Sequence, residues 1–163
     1  RTDYIDCLLL HGAQKPDGTE PRTEVIEALL PAKAAGKIRA IGVSCHTLPA
    51  LRVAAGADFI DVNLVRVNPQ SAHVDADPGK PRDIAPVMQQ VRRMKARGNG
   101  IIGMKLIGNG NFKDPAERER SIHFAMTQPE FDAFTIGFVK ADEIDEAIER
   151  MNRNLQQPVA GAA

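Results

Sequence analysis

Apolar runs alternate with helical stretches along this chain of 163 residues. Nearly continuous apolar segments are typical of parallel strands that are covered on both faces. Segments whose apolar residues recur every three or four positions predict helices between them. The predicted strands span residues 4–10, 40–43, 59–67, 100–106 and 133–138. The predicted helices span residues 23–35, 48–55, 83–97, 115–126 and 142–152, and in the last of these we expect Ile144 and Ile148 to be buried.

This alternation of strands and helices predicts a parallel α/β architecture. A weak internal repeat supports it, because KAAGKIRAIGVS and KARGNGIIGMK follow the same plan. In each, a helix ends at a glycine, a strand with an internal glycine follows, and a polar residue ends the strand. A glycine inside a strand weakens it, so both positions indicate close approach of a ligand or of another backbone segment. Residues 68–81, which are rich in proline and aspartate, predict a long loop.

Composition excludes several classes of protein. The chain has 21 basic and 21 acidic residues, so no net charge attracts nucleic acid or an anionic membrane. It has no tryptophan and one tyrosine, which leaves little aromatic surface for stacking bases. No apolar run approaches the roughly 20 residues of a membrane span. We therefore expect neither a nucleic-acid partner nor a membrane partner.

A polar residue or a glycine lies at or just beyond the carboxyl end of each predicted strand, namely His11, Ser44, Asn68, Lys105 and Gly137. Ligands of parallel α/β proteins bind at the carboxyl ends of the strands. The sequence lacks both GxGxxG and GxxxxGK[ST], which makes a Rossmann or P-loop nucleotide site a poor interpretation and favours a barrel. Taken alone, His11 is equally well explained as a cap on the carbonyls of its strand. The other histidines lie in separate segments without ligand spacing, so we predict no metal site.

Three segments together resemble the aldo-keto reductases: RTDYIDCLLLHG, AKAAGKIRAIGVSCH and FTIGFVKADEIDEAIERM. They occur in the family's order, and VSCH and GMKLIGNG are most similar to a bacterial branch of it. The resemblance implies a parallel (β/α)8 TIM barrel, of which this chain carries about strands 4–8 with their helices. The first residues enter a strand directly, so we expect the C-terminal part of a larger enzyme. Residues 1–154 form this part in our reading, and residues 155–163 a disordered tail.

The resemblance also implies hydride transfer between NAD(P)H and a small carbonyl compound or alcohol. Such enzymes use a tyrosine as proton donor, a lysine and an aspartate that tune it, and a histidine that orients the carbonyl. Only the histidine has a counterpart here, His11. We therefore expect the isolated chain to be inactive as a carbonyl reductase.

The cofactor contacts that the resemblance implies are matched unevenly. Ser44 matches a serine near the carboxamide of the nicotinamide. Cys45 stands where the family commonly has asparagine, and Leu64 where it has a carboxamide-binding glutamine, for which Asn63 or Arg66 are the candidate substitutes. These departures reduce the number of amide contacts that the family pattern would supply.

On the other side of the cofactor, Met104 replaces a tyrosine that stacks on the nicotinamide. The residues that match the loop around the pyrophosphate are Lys105, Leu106 and Gly108. Gly137 and Phe138 fall where contacts to the adenosine phosphate begin. Glu143 takes the place of an arginine that meets the 2′-phosphate, so NAD and NADP both stay open as cofactors.

Two alternatives follow from these observations. The departures at Cys45, Leu64 and Met104 allow a non-catalytic, cofactor-sensing or regulatory barrel. Five parallel strands also leave two sheet edges, which allows a half-barrel that self-associates with a second copy. The substrate and the compartment are not readable from the sequence.

Overall fold

The fold is a five-stranded parallel sheet with helices between its strands, seen in a computed structural model that describes residues 2–13 and 23–156. Each strand pairs with the next along the chain, so the order is sequential from the first strand to the fifth. This confirms the predicted parallel α/β architecture. The strands are β1 (Ile5–Ala13), β2 (Ile38–Cys45), β3 (Val62–Arg66), β4 (Gly100–Met104) and β5 (Ala133–Thr135). The helices are α1 (Thr23–Ala34), α2 (Leu48–Ala54), α3 (Ile84–Ala96), α4 (Pro115–Thr127) and α5 (Ala141–Gln156).

Local sequence signals explain where the helices begin and end. Gly36 and Gly98 follow α1 and α3 with φ of +73° and +83°, the left-handed conformation in which a helix commonly terminates. The side chains of Thr47, Asp83 and Asp114 cap α2, α3 and α4 by accepting hydrogen bonds from backbone N–H groups of the first turn. The helix boundaries therefore lie within a few residues of those predicted.

The strands differ more from the prediction. The third strand begins at Val62 rather than at residue 59, and the fifth ends at Thr135 rather than at residue 138. Ile60 is buried all the same, in the segment that leads into β3. An apolar run reports burial, and burial continues beyond the residues that pair with a neighbouring strand.

Register and side-chain alternation separate the two faces of the sheet. Val43, Asn63 and Ile101 are Cα partners in successive strands, and all three are buried on the side that the helices cover. This side contains the hydrophobic core, to which α2 and α3 contribute Leu51, Val87, Val91 and Met94. The opposite side, called the inner face below, is only half covered, and its side chains include Leu64, Ile102 and Met104.

The expectation for Ile144 and Ile148 was wrong, because they are 42% and 52% exposed. Helix α5 instead packs on α4 through the side that carries Ala147 and Arg150. Ion pairs from Arg118 to Glu146 and from Arg150 to Glu119 join the two helices and select that side. No described element covers the side with the two isoleucines.

Helix α5 continues to Gln156, two residues beyond the predicted end of the domain. The rest of the predicted tail, residues 157–163, lies outside the described residues. Within the described part of the chain, no helix is long and apolar enough to cross a membrane.

Candidate cofactor and active site

His11 and Ser44 lie side by side on the inner face at the carboxyl ends of their strands. They are Cα partners between β1 and β2, and Ser44 is in turn the partner of Leu64, which pairs with Ile102. Partners in parallel strands point to the same side of the sheet, so these four residues form one row. The row brings the predicted catalytic histidine next to the predicted carboxamide contact.

His11 is exposed at the end of this row, and its ring meets that of His46 edge to face. The ring centroids lie 5.2 Å apart, with planes at 86°. His46 lies in the loop that follows β2, and its contact orients the His11 imidazole. Among the described residues, no group of three or more His, Cys, Asp or Glu side chains is arranged to hold a metal ion.

Ser44 and Asn63 are both fully buried but lie on opposite faces. The Ser44 hydroxyl has no hydrogen-bond partner within the described residues. A buried polar atom without a partner is costly, and its position on the inner face fits a ligand that supplies the missing bond. The Asn63 carboxamide also has no partner among those residues, but register directs it toward the helices with Val43 and Ile101. Its position on that side separates it from the row of His11 and Ser44.

Arg66 is tied to the loop that follows its own strand. The Arg66 Nε atom lies 3.3 Å from a carboxylate oxygen of Asp75, and another guanidinium nitrogen donates to the His73 carbonyl oxygen at 3.2 Å. Burial lowers the pKa of Arg66 despite the neighbouring carboxylate. Asp75 has no sequence signal beyond its place in a polar loop, and the sequence analysis did not single it out. Both contacts tie Arg66 to the loop after β3.

The segment after β4 has an unusual backbone. Lys105, Gly108 and Asn109 all have positive φ, at 66°, 58° and 57°. The Lys105 ammonium donates to Asn109 Oδ1 at 2.7 Å, and Leu106 is fully buried beneath the turn. A Cβ at Gly108 would lie 2.6 Å from Phe112 Cε1, so this position needs glycine for space as well as for conformation.

A cavity of about 510 Å³ lies at the carboxyl ends of β4 and β5. Five of the predicted cofactor residues line it together: Lys105, Leu106, Gly137, Phe138 and Glu143. Gly108 belongs to the same turn but is not part of the lining. The volume and the position at the strand ends are typical of a small-molecule site. The structure thus brings Lys105 and Leu106 together with residues more than 30 positions further along the chain.

Charged side chains on α4 and α5 form one wall of this cavity, and the sequence analysis missed them. Glu146 accepts hydrogen bonds from Arg118 at 2.9 Å and from Arg150 at 2.6 Å, and these bonds hold the pKa of Glu146 below its usual range. Glu143 Oε2 accepts the N–H of Val139 at 2.8 Å, which lowers the pKa of that carboxyl. No spacing rule links Arg118 to residues on another helix, so only the packing of α4 on α5 reveals the wall.

A nicotinamide dinucleotide fits these residues in two respects. The buried Ser44 hydroxyl lacks a partner on the inner face, and a carboxamide group can both donate to it and accept from it. The cavity at the ends of β4 and β5 carries the ammonium of Lys105, which suits an anionic phosphate, whereas Arg118 in its wall already donates to Glu146.

The fold is a parallel α/β sheet with a candidate site at the carboxyl ends of its strands, and comparison with known proteins gives the family. The family model described as the aldo/keto reductase family matches residues 1–163. The chain therefore belongs to the aldo/keto reductase family. This confirms the resemblance that the three sequence segments indicated.

The similar proteins are each matched over only part of their own length. The chain is 39% identical over 72 residues to methylglyoxal reductase DkgB of Salmonella typhi, a match that spans 42% of the chain and 27% of that protein. Aldo-keto reductase AKR11C1 of Bacillus halodurans in its holo form superposes with a TM-score of 0.67 at 16% identity, over 92% of the chain and 56% of that structure. PA4992 of Pseudomonas aeruginosa gives 0.70 at 19%, over 95% and 53%. The chain thus spans about half of these solved structures, as expected for part of a barrel.

Proposed function

We propose that the protein containing this chain transfers hydride between NAD(P)H and a small carbonyl compound or alcohol. The observation that carries the proposal is the row of His11 and Ser44, with the cavity at the ends of β4 and β5 along the same edge of the sheet. Membership of the aldo/keto reductase family supports it. The proposed activity is that of the whole protein, whose barrel would contain more strands than the five described.

In this proposal one group of residues binds the cofactor, and His11 acts on the substrate. The Ser44 hydroxyl binds the carboxamide of the nicotinamide, and the cofactor supplies the hydride when it is bound. Lys105 binds phosphate oxygens as a compact positive charge. Glu143, Gly137 and Phe138 border the adenosine end, where the carboxylate disfavours a further phosphate.

His11 acts on the substrate. One of its ring N–H groups donates a hydrogen bond to the carbonyl oxygen and stabilises the negative charge that develops there. The proton comes from a tyrosine outside this chain, since the single tyrosine, Tyr4, precedes β1 at the opposite end of the strand from His11. The aspartate and the lysine that tune that tyrosine also lie outside the chain.

Replacement of His11 tests this role. In the full-length protein, His11→Ala should lower kcat for an aldehyde by about 100-fold, because one donor to the developing oxyanion is lost. The Kd for NADH, measured by its fluorescence, should stay within about twofold, since the cofactor contacts are unchanged. Methylglyoxal, which the DkgB relatives are named for reducing, is a suitable first substrate.

His123→Ala is a matched control, because His123 lies on α4 and contacts Asn154 at 2.6 Å, away from the inner face. It should leave kcat unchanged. An unchanged kcat in His11→Ala, or an equal loss in both variants, would contradict the role of His11.

The isolated chain of 163 residues gives a second test. Because the proposed proton-donating tyrosine is not part of this chain, the chain should show no NAD(P)H-dependent loss of absorbance at 340 nm with a reactive aldehyde. Steady turnover by the pure chain would overturn the division of catalytic residues proposed above.

A cofactor-sensing barrel is the alternative that one observation favours. Leu64, in the same row as Ser44, is apolar and half-buried where a carboxamide contact would be expected. A full-length protein that binds NAD(P)H tightly but reduces no aldehyde would support sensing, whereas turnover would support the reductase.

A further inference from the structure

Asn68 joins two loops at the carboxyl edge of the sheet. It lies two residues beyond β3, and its side chain is fully buried. Its carboxamide makes two bonds within its own loop, donating to the Ala72 carbonyl at 2.7 Å and accepting from the Ala72 N–H at 2.8 Å. The same nitrogen also donates to the carbonyl oxygen of Lys105 at 3.2 Å, 37 positions along the chain. Asn68 is thus one link between the loop after β3 and the turn after β4.

The partner in this link has a backbone conformation that lysine rarely adopts. Lys105 has φ of +66°, and non-glycine residues in the left-handed region persist only where their surroundings hold them. Its carbonyl oxygen accepts from both Asn68 and the Gly108 N–H, at 3.2 and 2.9 Å. The residue before it is also held, because the Met104 carbonyl accepts from Val67 N–H at 2.8 Å. The backbone of Lys105 is therefore fixed from both loops.

We propose that Asn68 is a positioning residue for cofactor binding. It holds the Lys105 backbone in the left-handed conformation, and this directs the lysine side chain along the wall of the cavity. The inference rests on the proposed function, in which Lys105 binds a phosphate of the dinucleotide. Asn68 touches neither cofactor nor substrate, and it acts only through Lys105.

A purely structural role predicts different behaviour. If Asn68 only stabilised its own loop through Ala72, its loss would weaken the fold and leave the contribution of the Lys105 ammonium intact. If it acts through Lys105, removing Asn68 should remove part of what that ammonium contributes. A double-mutant cycle separates these two cases because it measures the coupling of two side chains.

The cycle uses the full-length protein with Asn68→Ala, Lys105→Met and the double variant. The Kd for NADH is measured by fluorescence titration. Asn68→Ala should raise Kd by about fivefold to tenfold, the usual effect of one lost hydrogen bond on a binding constant. The double variant should bind no more weakly than Lys105→Met alone. Fully additive losses would overturn the role of Asn68.

Salt dependence gives a readout that loop stability does not move. Binding that includes an ammonium–phosphate contact weakens as ionic strength rises. The dependence of Kd on salt should therefore be flatter in both Asn68→Ala and Lys105→Met than in the wild type. An unchanged salt dependence in Asn68→Ala would contradict the proposal.

Gln70→Ala is the matched control. Gln70 belongs to the same loop and donates to the Glu117 carbonyl on α4 at 2.8 Å, with no bond to Lys105. It should change Kd by less than about twofold, since it removes an anchor of comparable strength elsewhere. A loss equal to that of Asn68→Ala would show that loop anchoring in general, and not Lys105, is responsible.

Asn68→Asp is used if circular dichroism shows that the alanine variant is unfolded. Aspartate is isosteric and keeps the bond from the Ala72 N–H, but it turns an oxygen toward the carbonyls of both Ala72 and Lys105. It should weaken NADH binding at least as much as alanine. A wild-type protein that binds neither NADH nor NADPH would overturn the proposed function and this role with it, whereas wild-type binding with additive variants overturns the role alone.

Discussion

Asp75 lies in an environment that is unusual for an aspartate. The residue is 1% exposed, and its carboxylate has no hydrogen-bond partner within the described residues, with Arg66 Nε at 3.3 Å. Burial raises the pKa of Asp75 to about 6, and the positive charges of Arg66 and Arg82 offset only part of that effect. The folded protein therefore binds a proton at Asp75 more tightly than the unfolded chain does.

This shift predicts a pH dependence of stability. Because the folded-state pKa lies above the unfolded value, the free energy of unfolding should fall as pH rises from about 4 to above 6. The contribution amounts to at most about 3 kcal/mol, because the folded-state pKa of about 6 lies above the usual value of an aspartate. Asp75→Asn should remove this slope, measured by urea unfolding at pH 4.5 to 7.5.

Asp77→Asn serves as the control for this measurement. Asp77 pairs with Arg52 on the surface, and the hydrogen bond from Arg52 lowers its pKa. Its titration therefore lies below the pH range of the experiment, and the wild-type slope should persist. A slope retained in Asp75→Asn would show that another group causes it.

At the scale of elements, the two halves of the sequence repeat share one device at the amino ends of the strands. Lys33 on α1 binds the Asp61 carboxylate, which also accepts the N–H of Ile41 in β2 at 2.8 Å. Lys95 on α3 binds Asp132, which accepts the N–H of Ile101 in β4 at 2.8 Å. Each aspartate thus joins a helix, the following strand and its own segment, which explains why lysine recurs before both glycine caps.

Removing either aspartate should destabilise the fold. Asp61→Ala and Asp132→Ala should each lower the free energy of unfolding by about 1–2 kcal/mol, because a strand amide loses a charged acceptor. Asp58→Ala should cost less than about 0.5 kcal/mol, since Asp58 is an exposed partner of Arg97 with no strand amide. Urea unfolding at pH 7 measures all three, and equal losses would contradict the importance of the strand bond.

The internal glycines of β2 and β4 were read from sequence as places of close approach, and the structure supplies the neighbours. A Cβ at Gly42 would lie 2.7 Å from the Val62 carbonyl oxygen on the inner face. A Cβ at Gly103 would lie 2.8 Å from Phe134 Cδ1 on the helix side. Sequence could indicate crowding at both positions, but not that the neighbours are other strands of the sheet.

At the scale of the whole molecule, an apolar stripe on α5 lies open to solvent. It contains Ile144, Ile148 and Leu155, on the side of the helix that faces away from α4. The inner face is half-covered, and β1 and β5 are the two edges of the described sheet. Further strands and helices of a complete barrel would cover these surfaces, and in the isolated chain a second copy is the available substitute.

We therefore predict that the isolated chain self-associates. Its mass by light scattering should rise above 17.7 kDa with concentration, and Ile148→Glu should shift it toward the monomer, because a charge disfavours burial of the stripe. Val53→Glu, at an exposed apolar position on α2, should have no such effect. A monomer at every concentration would argue against self-association through these surfaces.

The sequence by itself determined the elements, their parallel order and the family. Periodicity reports whether a segment is covered on one side or two, and glycine caps mark helix ends, so both signals are local. The candidate residues at strand ends followed from the same local pattern, because parallel strands bring their carboxyl ends to one edge. His11, Ser44 and Lys105 could be selected in this way.

Only the tertiary structure decided which side each residue faces and what it contacts. Register directs Asn63 toward the helices, although it is one position from Leu64 on the inner face. Packing of α4 on α5 turned Ile148 outward and assembled Arg118 and Glu146 at the cavity. These outcomes depend on contacts between distant segments, and such contacts leave no periodic signal in the sequence of either one.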